Sequence, residues 1–412
     1  MSVAFASAFS FLLPYVLPGR EGRVVITSFH GRGYRGSPRA LFEHLIATGR
    51  LDPIWLATEP AIVRDLQGKF GAERAALAHS ARGVLALATA RAIVISHGTS
   101  DLPWLHLHSK AALVQTFHGL PTKGGELLGP RPKLASRLAY WRRFRGIDHF
   151  VSSSPLVSRI FGARFGLPPW VFLEIGYPSH DGLLRRPPER VDTSSLWPDA
   201  PRHSRLILWA PTFRTRSLTR FLPFEDFDAA ALSAFLEEID ALLCLRPHPN
   251  DQLDLEPVRL LSPRIVVADH GTLEDVQPLL PACDVVVTDY SGTYLEALLV
   301  DVPVVFVPYD RDSYERDLPL DYDATTPGPK VATQAELLDA CRRALADPAE
   351  HRAARATIRR LYFRHDDAGA TERLADFIAT IAGDTGRSDA PSSPASPEGA
   401  RRSGPISRHR RP

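Results

Sequence analysis

The chain has 412 residues but only three cysteines, Cys244, Cys283 and Cys341, set far apart in apolar surroundings. Neither a disulfide framework nor a zinc-ligand spacing can be written from them, and a reducing cytoplasm fits. A membrane-spanning run is also missing. The longest uncharged stretch, residues 1–18 (MSVAFASAFSFLLPYVLP), is interrupted by Pro14 and has neither a basic start nor a cleavage site. That excludes a good signal peptide and a good span. Its Phe5, Phe9, Leu12, Leu13, Tyr15 and Val16 suit a lipid interface, and a disordered or core-docked start fits as well. A large charge of one sign is absent too. Formal net charge is +2, and residues 386–412 hold six arginines against Asp389 and Glu398, so the remainder is slightly acidic. Global charge therefore gives no support to a nucleic-acid partner. No internal repeat and no metal-ligand cluster stand out, and His106-x-His108 reads as loop histidines.

What is present is a series of short apolar runs separated by helical segments. VVITSF, PIWLAT, AIVIS, AALVQTF, HFVSSS and FLEIGY form one group; RLILWAPT, ALLCLRPH, RIVVAD, DVVVTDY and VPVVFVPY form another. Runs of this kind alternating with helices predict parallel sheets covered on both faces. Between the groups, residues 185–204 are dense in proline, serine and charge. The expected organisation is an apolar segment at 1–22, a Rossmann-like domain at 23–184, a linker at 185–204, a second Rossmann-like domain at 205–382 and a disordered basic tail at 383–412. Ser37 and Pro38 read as a cap and first-turn pair, and Thr333 with Glu336 as a capping box.

HGRGYRG, residues 30–36, lies between a strand and a helix, with Glu59 farther on. The G-x-G-x-x-G string and a downstream acid suggest a dinucleotide fingerprint. In that fingerprint, however, the third glycine lies inside the helix, whereas Gly36 precedes the expected start at Ser37 and Pro38. A loop facing an interdomain cleft, with Arg32 and Arg35 open to an anion, is the better account.

Other strings place reactive groups at strand ends, where open α/β folds bind ligands. QTFHGLPTKGG ends a strand and turns sharply after His118, making His118 a catalytic candidate and Gly119 and Lys123 substrate-binding candidates. Standing alone, such an imidazole is better read as a buried, backbone-bonded histidine. LCLRPHPN brings Arg246, a permanent cation, beside His248, which can exchange a proton. WAPTFRTR offers Thr212 and Arg214. In VVVTDYSGTYLEAL, Ser291, Gly292 and Thr293 open a helix whose free N–H groups favour phosphate. Asp289 is placed to bind a polar ligand group or to cap the helix, and Glu296 to meet a ribose hydroxyl or solvent.

In order along residues 23–381, SFHGRGYRGSPRALFEHL, QTFHGLPTKGG, VSSSPLVSRIFGARFGL with IGYP, WAPTFR, LRPHP, TDYSGTYLEAL, PYDRDSYERD and TPGPKVAT resemble the blocks of the CDP-glycerol glycerophosphotransferases, the teichoic-acid primases and polymerases. The resemblance implies a GT-B type fold of two Rossmann-like domains and transfer of glycerol phosphate, or a related alditol phosphate, from a CDP-linked donor to a hydroxyl of a lipid-linked or polymeric acceptor, with release of CMP. By position it makes His118 the catalytic histidine of the acceptor-side domain and His248 the second, near the donor phosphates. Ser291 and Thr293 fall in its phosphate-binding segment. Leu120 stands where the family usually has Thr, and Gly292 where it has a second Ser; GYPSHD and RDLPLDYD also depart from the pattern.

The expected mechanism has His118 taking the acceptor proton and His248 with Arg246 stabilising the donor phosphates, with no cofactor beyond the CDP-linked donor. Residues 131–145, RPKLASRLAYWRRFR, carry six basic residues and no acidic one, with Leu134, Leu138 and Trp141 at helical spacing. That pattern fits an anionic lipid surface or a polyphosphate acceptor, and equally a core-packed helix. The expected location is cytoplasmic, on the inner face of the membrane. Rival readings are a GT-B glycosyltransferase using a nucleotide sugar and a non-catalytic nucleotide-binding relative.

Overall fold

Each apolar run becomes a strand of one of two all-parallel sheets. The computed structural model describes residues 2–103, 105–107, 110–122, 138, 141–144, 146–185, 187–188, 191–214, 217–248, 250–251, 253–314 and 318–383. Lys123, His108, most of the basic segment at 131–145 and the tail lie outside them. The first sheet contains β1 (Arg23–Ile26), β2 (Asp52–Ala57), β3 (Ala75–Leu77), β4 (Ala92–Ile95), β5 (Ala112–Gln115), β6 (His149–Ser152) and β7 (Phe172–Glu174), in spatial order β3-β2-β1-β4-β5-β6-β7. The second contains β8 (Arg205–Trp209), β9 (Ala241–Leu245), β10 (Ile265–Val267), β11 (Val285–Thr288) and β12 (Val304–Phe306), in order β10-β9-β8-β11-β12. β3 is the one strand the apolar-run reading does not contain; AAL is too short and too alanine-rich to stand out.

The inner strands are buried on both faces because helices cover both, while the edge strand β7 is only partly buried. β4, β9 and β11 are buried throughout. Trp55 on β2 and Trp209 on β8 are each at most 2% exposed, and side chains of this size contribute roughly 1.5–3 kcal/mol or more on burial. Counting helices of seven residues or more, the first lobe carries α1 (Val3–Val16), α2 (Gly36–Thr48), α3 (Pro60–Phe70), α4 (Ala81–Ala88) and α5 (Pro155–Phe165). After them come α6 (Ala229–Glu238), α7 (Thr293–Leu299), α8 (Gln334–Ala346), α9 (Arg352–Tyr362) and α10 (Ala370–Ala382). The capping box of Thr333 and Glu336 forms at the start of α8.

Two expectations are revised, and one left open is decided. α2 begins at Gly36, and the Ser37 hydroxyl makes no cap; it meets Ser179 Oγ at 3.2 Å, because a turn at Pro178–His180 packs on this end of the helix. The segment 370–382, assigned from sequence to the second domain, returns to the first lobe. Leu374, Ala375 and Ile378 of α10 are buried in one core with Leu41 and Leu45 of α2 and Val94 of β4. α1 docks through Ala6, Ser10 and Pro14 against α4, with Ser10 Oγ accepting from His106 N at 2.8 Å. Its other face leaves Phe5, Phe9, Leu12, Tyr15 and Val16 exposed.

In each sheet the strand order reverses once, between β1 and β4 in the first and between β8 and β11 in the second. Crevices form at the carboxyl ends of such strands. The first lobe's crevice is walled by residues 27–31 and 96–101, the second's by 210–214 and 289–293.

Candidate active site

The first crevice is built around a carboxylate. Asp101 is fully buried. Its Oδ1 accepts from His30 N at 2.8 Å, and its Oδ2 accepts from the backbone N–H groups of Ser96 and His97 and from Ser96 Oγ at 3.1 Å. A carboxylate with four donors ties the end of β4 to the loop after β1. That loop is tight: Phe29, His30 and Gly31 have φ of 49°, 61° and 72°. A Cβ on Gly31 would stand 2.9 Å from Thr58 Cγ2, so glycine is required by space as well as by conformation. Gly36 also has positive φ, and Glu59 pairs with Arg32 at 3.6 Å. The HGRGYRG string is thus a folded cleft wall.

His118 follows β5, beyond Phe117, whose φ is 59°. Its Nδ1 lies 3.2 Å from the Ser96 carbonyl. A carbonyl only accepts, so Nδ1 carries the proton and Nε2 keeps its lone pair. Nε2 meets no hydrogen-bond partner among the described residues. The imidazole of His97 lies flat on that of His118, ring centroids 3.7 Å apart at 5°, and His30 lies 4.7 Å from His97. The surrounding protein mass, and then the positive field of Arg143 and Arg164, push the pKa of His118 down to about 4, against the Ser96 hydrogen bond that raises it. The residue nonetheless keeps an open side. Burial first, then His118, His30, Arg143 and Arg35, push His97 to about 2. Both rings are therefore neutral at neutral pH, which leaves the Nε2 lone pair of His118 available to an incoming hydroxyl proton.

Across the cleft, Ser291 Oγ and Thr293 Oγ1 meet at 3.0 Å at the start of α7. A Cβ on Gly292 would come 3.7 Å from the Leu120 carbonyl and 4.0 Å from Thr122. The turn that follows His118 and Gly119 therefore faces the Ser291–Thr293 segment. His248, after β9, is exposed and stacks on Phe213 at 5.2 Å, with Nδ1 accepting from Asn250 N at 3.1 Å.

Four other expected ligand-binding side chains, Arg246, Arg214, Asp289 and Glu296, have their polar atoms engaged by protein. The Arg246 guanidinium is buried and donates to the carbonyls of Ala268, Asp269, Leu273 and Glu274. It thereby holds the loop after β10. Arg214, 3% exposed, donates to Asp310 and Asp289 at 2.8 Å each and to the Thr212 carbonyl. Tyr290, Tyr309 and Tyr314 surround it at 5.1–5.5 Å. Burial alone would lower its pKa; Asp310 and Asp289 outweigh that and raise it. Asp289 also accepts from Thr212 N at 2.8 Å and from Tyr290 N, and caps no helix. The buried Thr212 hydroxyl has no partner among the described residues. Glu296 Oε1 lies 3.2 Å from His180 Nε2 and accepts from Gln277 Nε2 at 2.9 Å.

Sequence reasoning passed over His97, Ser96, Asp101 and His270. His270 lies after β10, and its Nε2 is in contact with Arg35 Nη1 of the first lobe. Desolvation, then Arg35 and Arg246, lower its pKa, so it accepts from Arg35 as a neutral ring. A signal was present: His-Gly occurs at 30–31, 97–98, 118–119 and 270–271, each time just past a strand. Among the described residues no group of three His, Cys, Asp or Glu is arranged to hold a metal ion. A separate cavity of about 590 Å³, lined by residues including Arg39, His44, Pro178, Arg185 and Gln277, does not include His118 or His248.

Comparison with known proteins accords with this geometry. The teichoic acid glycerol-phosphate transferase of Staphylococcus aureus is 27% identical over 385 residues, covering 90% of this chain and 95% of that protein. The teichoic acid poly(glycerol phosphate) polymerase of Bacillus subtilis is 25% identical over 80% of this chain but 45% of its own length, so the chain spans less than half of that polymerase. Among solved structures, that of the wall teichoic acid polymerase TagF matches with a TM-score of 0.71 at 20% identity, over 92% of this chain and 94% of that one, which shows the two-lobed GT-B type fold. The family described as CDP-glycerol:poly(glycerophosphate) glycerophosphotransferase matches residues 9–380, and the chain belongs to that family of transferases.

Proposed function

We propose that this protein moves glycerol phosphate, or a closely related alditol phosphate, from a CDP-linked donor to a hydroxyl of a lipid-linked or polymeric acceptor during synthesis of a cell-envelope polymer. The observation that carries the reading is the tautomer of His118: a neutral imidazole, Nδ1 held by the Ser96 carbonyl and Nε2 without a partner among the described residues, on a turn that faces Ser291–Thr293 across the cleft. The acceptor oxygen attacks the phosphorus that bears the glycerol. One P–O bond forms, the P–O bond to CMP breaks, and the acceptor proton passes to Nε2 of His118. A positioned base of this kind contributes on the order of 10²–10⁴ in rate. The rest comes from alignment and charge stabilisation, to which Ser291, Thr293, Gly292 N–H and His248 contribute on the donor side, with Gly119 beside the base.

No helix among the described residues is long and apolar enough to cross a membrane. The exposed face of α1 (Phe5, Phe9, Leu12, Tyr15 and Val16), together with exposed Leu138 and Trp141 of the basic segment, supports contact with a lipid surface at the inner face of the cell membrane, where a lipid-linked acceptor would be met. The test is CMP release from a panel of CDP-alditols with membrane extracts as acceptor, using the native chain and His118→Ala. Release by the native chain alone, with CDP binding retained in the variant, supports the reading. No CMP from any donor overturns the reaction, and full turnover by His118→Ala overturns the assignment of the base.

A further inference from the structure

The reading of His118 as base raises the question of what keeps an imidazole on a mobile side chain aimed. Its hydrogen bond to the Ser96 carbonyl fixes one nitrogen but not the plane of the ring. We propose that His97 is a positioning residue for His118: its imidazole, laid flat against that of His118 and tied through Ser96 to Asp101, fixes the plane in which Nε2 of His118 receives the acceptor proton. The inference rests on the functional reading given above.

The geometry constrains His97 from several sides. Ser96 Oγ lies 2.8 Å from His97 Nδ1, accepts from Phe29 N at 3.0 Å and donates to Asp101 Oδ2 at 3.1 Å. A hydroxyl has one proton, and Asp101 takes it. His97 must therefore donate from Nδ1, the same tautomer as His118. The Asp101 carboxylate, fully buried and also bound to His97 N, anchors the hydroxyl. Phe29 closes the far side, its ring 4.6 Å from that of His97, and Arg143 Nε holds the His97 carbonyl at 2.7 Å. His97 is 8% exposed while His118 keeps an open side. One ring is thus a fixed platform and the other the surface on which substrate would be met.

The platform has an electrostatic effect as well as a steric one. Charged or titratable groups facing the pair are His30 and Arg35 from the loop after β1, Asp101 after β4, Arg143 from the segment before β6 and Arg164 from α5. Arg35, Arg143 and Arg164 are cations, and Asp101 is turned into its own hydrogen-bond set. An uncharged ring packed on His118 keeps water from that face, so removing it rehydrates the base and returns its titration toward that of a free histidine.

The experiment compares native chain, His97→Ala, His97→Phe and His118→Ala by kcat, KM for CDP-glycerol, the pH dependence of kcat, CDP affinity and thermal midpoint. His97→Ala is expected to lower kcat by about 10²-fold, the scale of a small misplacement of a reacting group, with CDP affinity retained and the acid limb of the pH profile moved up. His97→Phe, which keeps a flat ring and no nitrogen, should recover most of the rate and leave the acid limb in place. Native kcat and pH profile in His97→Ala, or a Phe variant no better than Ala, overturns the proposal. Should His97→Ala fail to fold, the Phe profile decides: an unchanged acid limb supports the platform, and one shifted to the free-histidine range overturns it. Turnover in His118→Ala would instead reject the base itself, an outcome that the other variants cannot imitate.

Discussion

His180 Nε2 of the first lobe and Glu296 Oε1 of the second stand 3.2 Å apart, and Gln277 completes the carboxylate oxygen's coordination. Both side chains are largely buried, at 6% and 15% exposure, so the contact joins the lobes where solvent screening is weak. If Glu296 served chiefly to meet a ribose, Glu296→Ala would lose CDP affinity that His180→Ala retains. The geometry predicts that both variants lose comparable stability, about 1–3 kcal/mol as expected for a hydrogen bond to a charged group, in equilibrium urea unfolding. Isothermal titration with CDP separates the two roles.

A second prediction concerns Arg214. Its donors are shared among Asp289, Asp310 and the Thr212 carbonyl, inside a wall of three tyrosines. Arg214→Met would leave two carboxylates without their counter-charge, one of them, Asp289, 1% exposed. Breaking a buried pair this way typically costs roughly 3–5 kcal/mol. Urea unfolding should show a loss of this size. A variant of native stability with weakened CDP binding would show that Arg214 faces ligand after all.

The strands and the capping box at Thr333 were legible because each depends on residues close in sequence: a β-branched apolar run reads as a buried strand whatever lies beside it. The placement of His118 and His248 at strand ends was legible for the same reason. The direction of a side chain was not. Arg214, Arg246 and Asp289 do sit at the expected crevice edges, yet they turn inward onto carboxylates, carbonyls and backbone N–H groups, since a buried charge must be paired. His97 and Asp101 depend on strand order. They matter because β4 lies between β1 and β5, which no local pattern announces. The return of α10 to the first lobe is a long-range packing choice of the same kind.

Two glycines at the cleft are predicted to respond in opposite ways. Gly292 has φ of −60°, and an added Cβ would meet nothing nearer than 3.7 Å. Gly292→Ser, which adds a third hydroxyl to the Ser291–Thr293 segment, should change stability by less than about 0.5 kcal/mol and maintain or strengthen CDP binding. Gly31 has φ of 72° and Thr58 Cγ2 2.9 Å from the Cβ position. Gly31→Ala should cost roughly 1–3 kcal/mol and lower kcat, because the same loop carries His30 and delivers a backbone N–H to Asp101. Thermal unfolding with the CMP-release assay checks both.

The stacked histidines also set how the fold responds to acid. Both have pKa values below that of a free histidine, His118 at about 4 and His97 at about 2, against an unfolded value of about 6.5. Above that value neither state binds the proton, and stability is independent of these rings. As the pH falls through it, the unfolded chain takes up protons that the folded chain refuses. The unfolded state then holds more protons, so stability declines with falling pH. The loss begins near pH 6.5 and continues toward about 4 for His118 and about 2 for His97. His97→Phe removes one such group while keeping the packing, so its stability should fall less steeply between pH 6.5 and 4.5 than that of the native chain. Urea unfolding at a series of pH values across that window measures the slopes, and parallel curves for the two proteins would show that His97 titrates alike in both states.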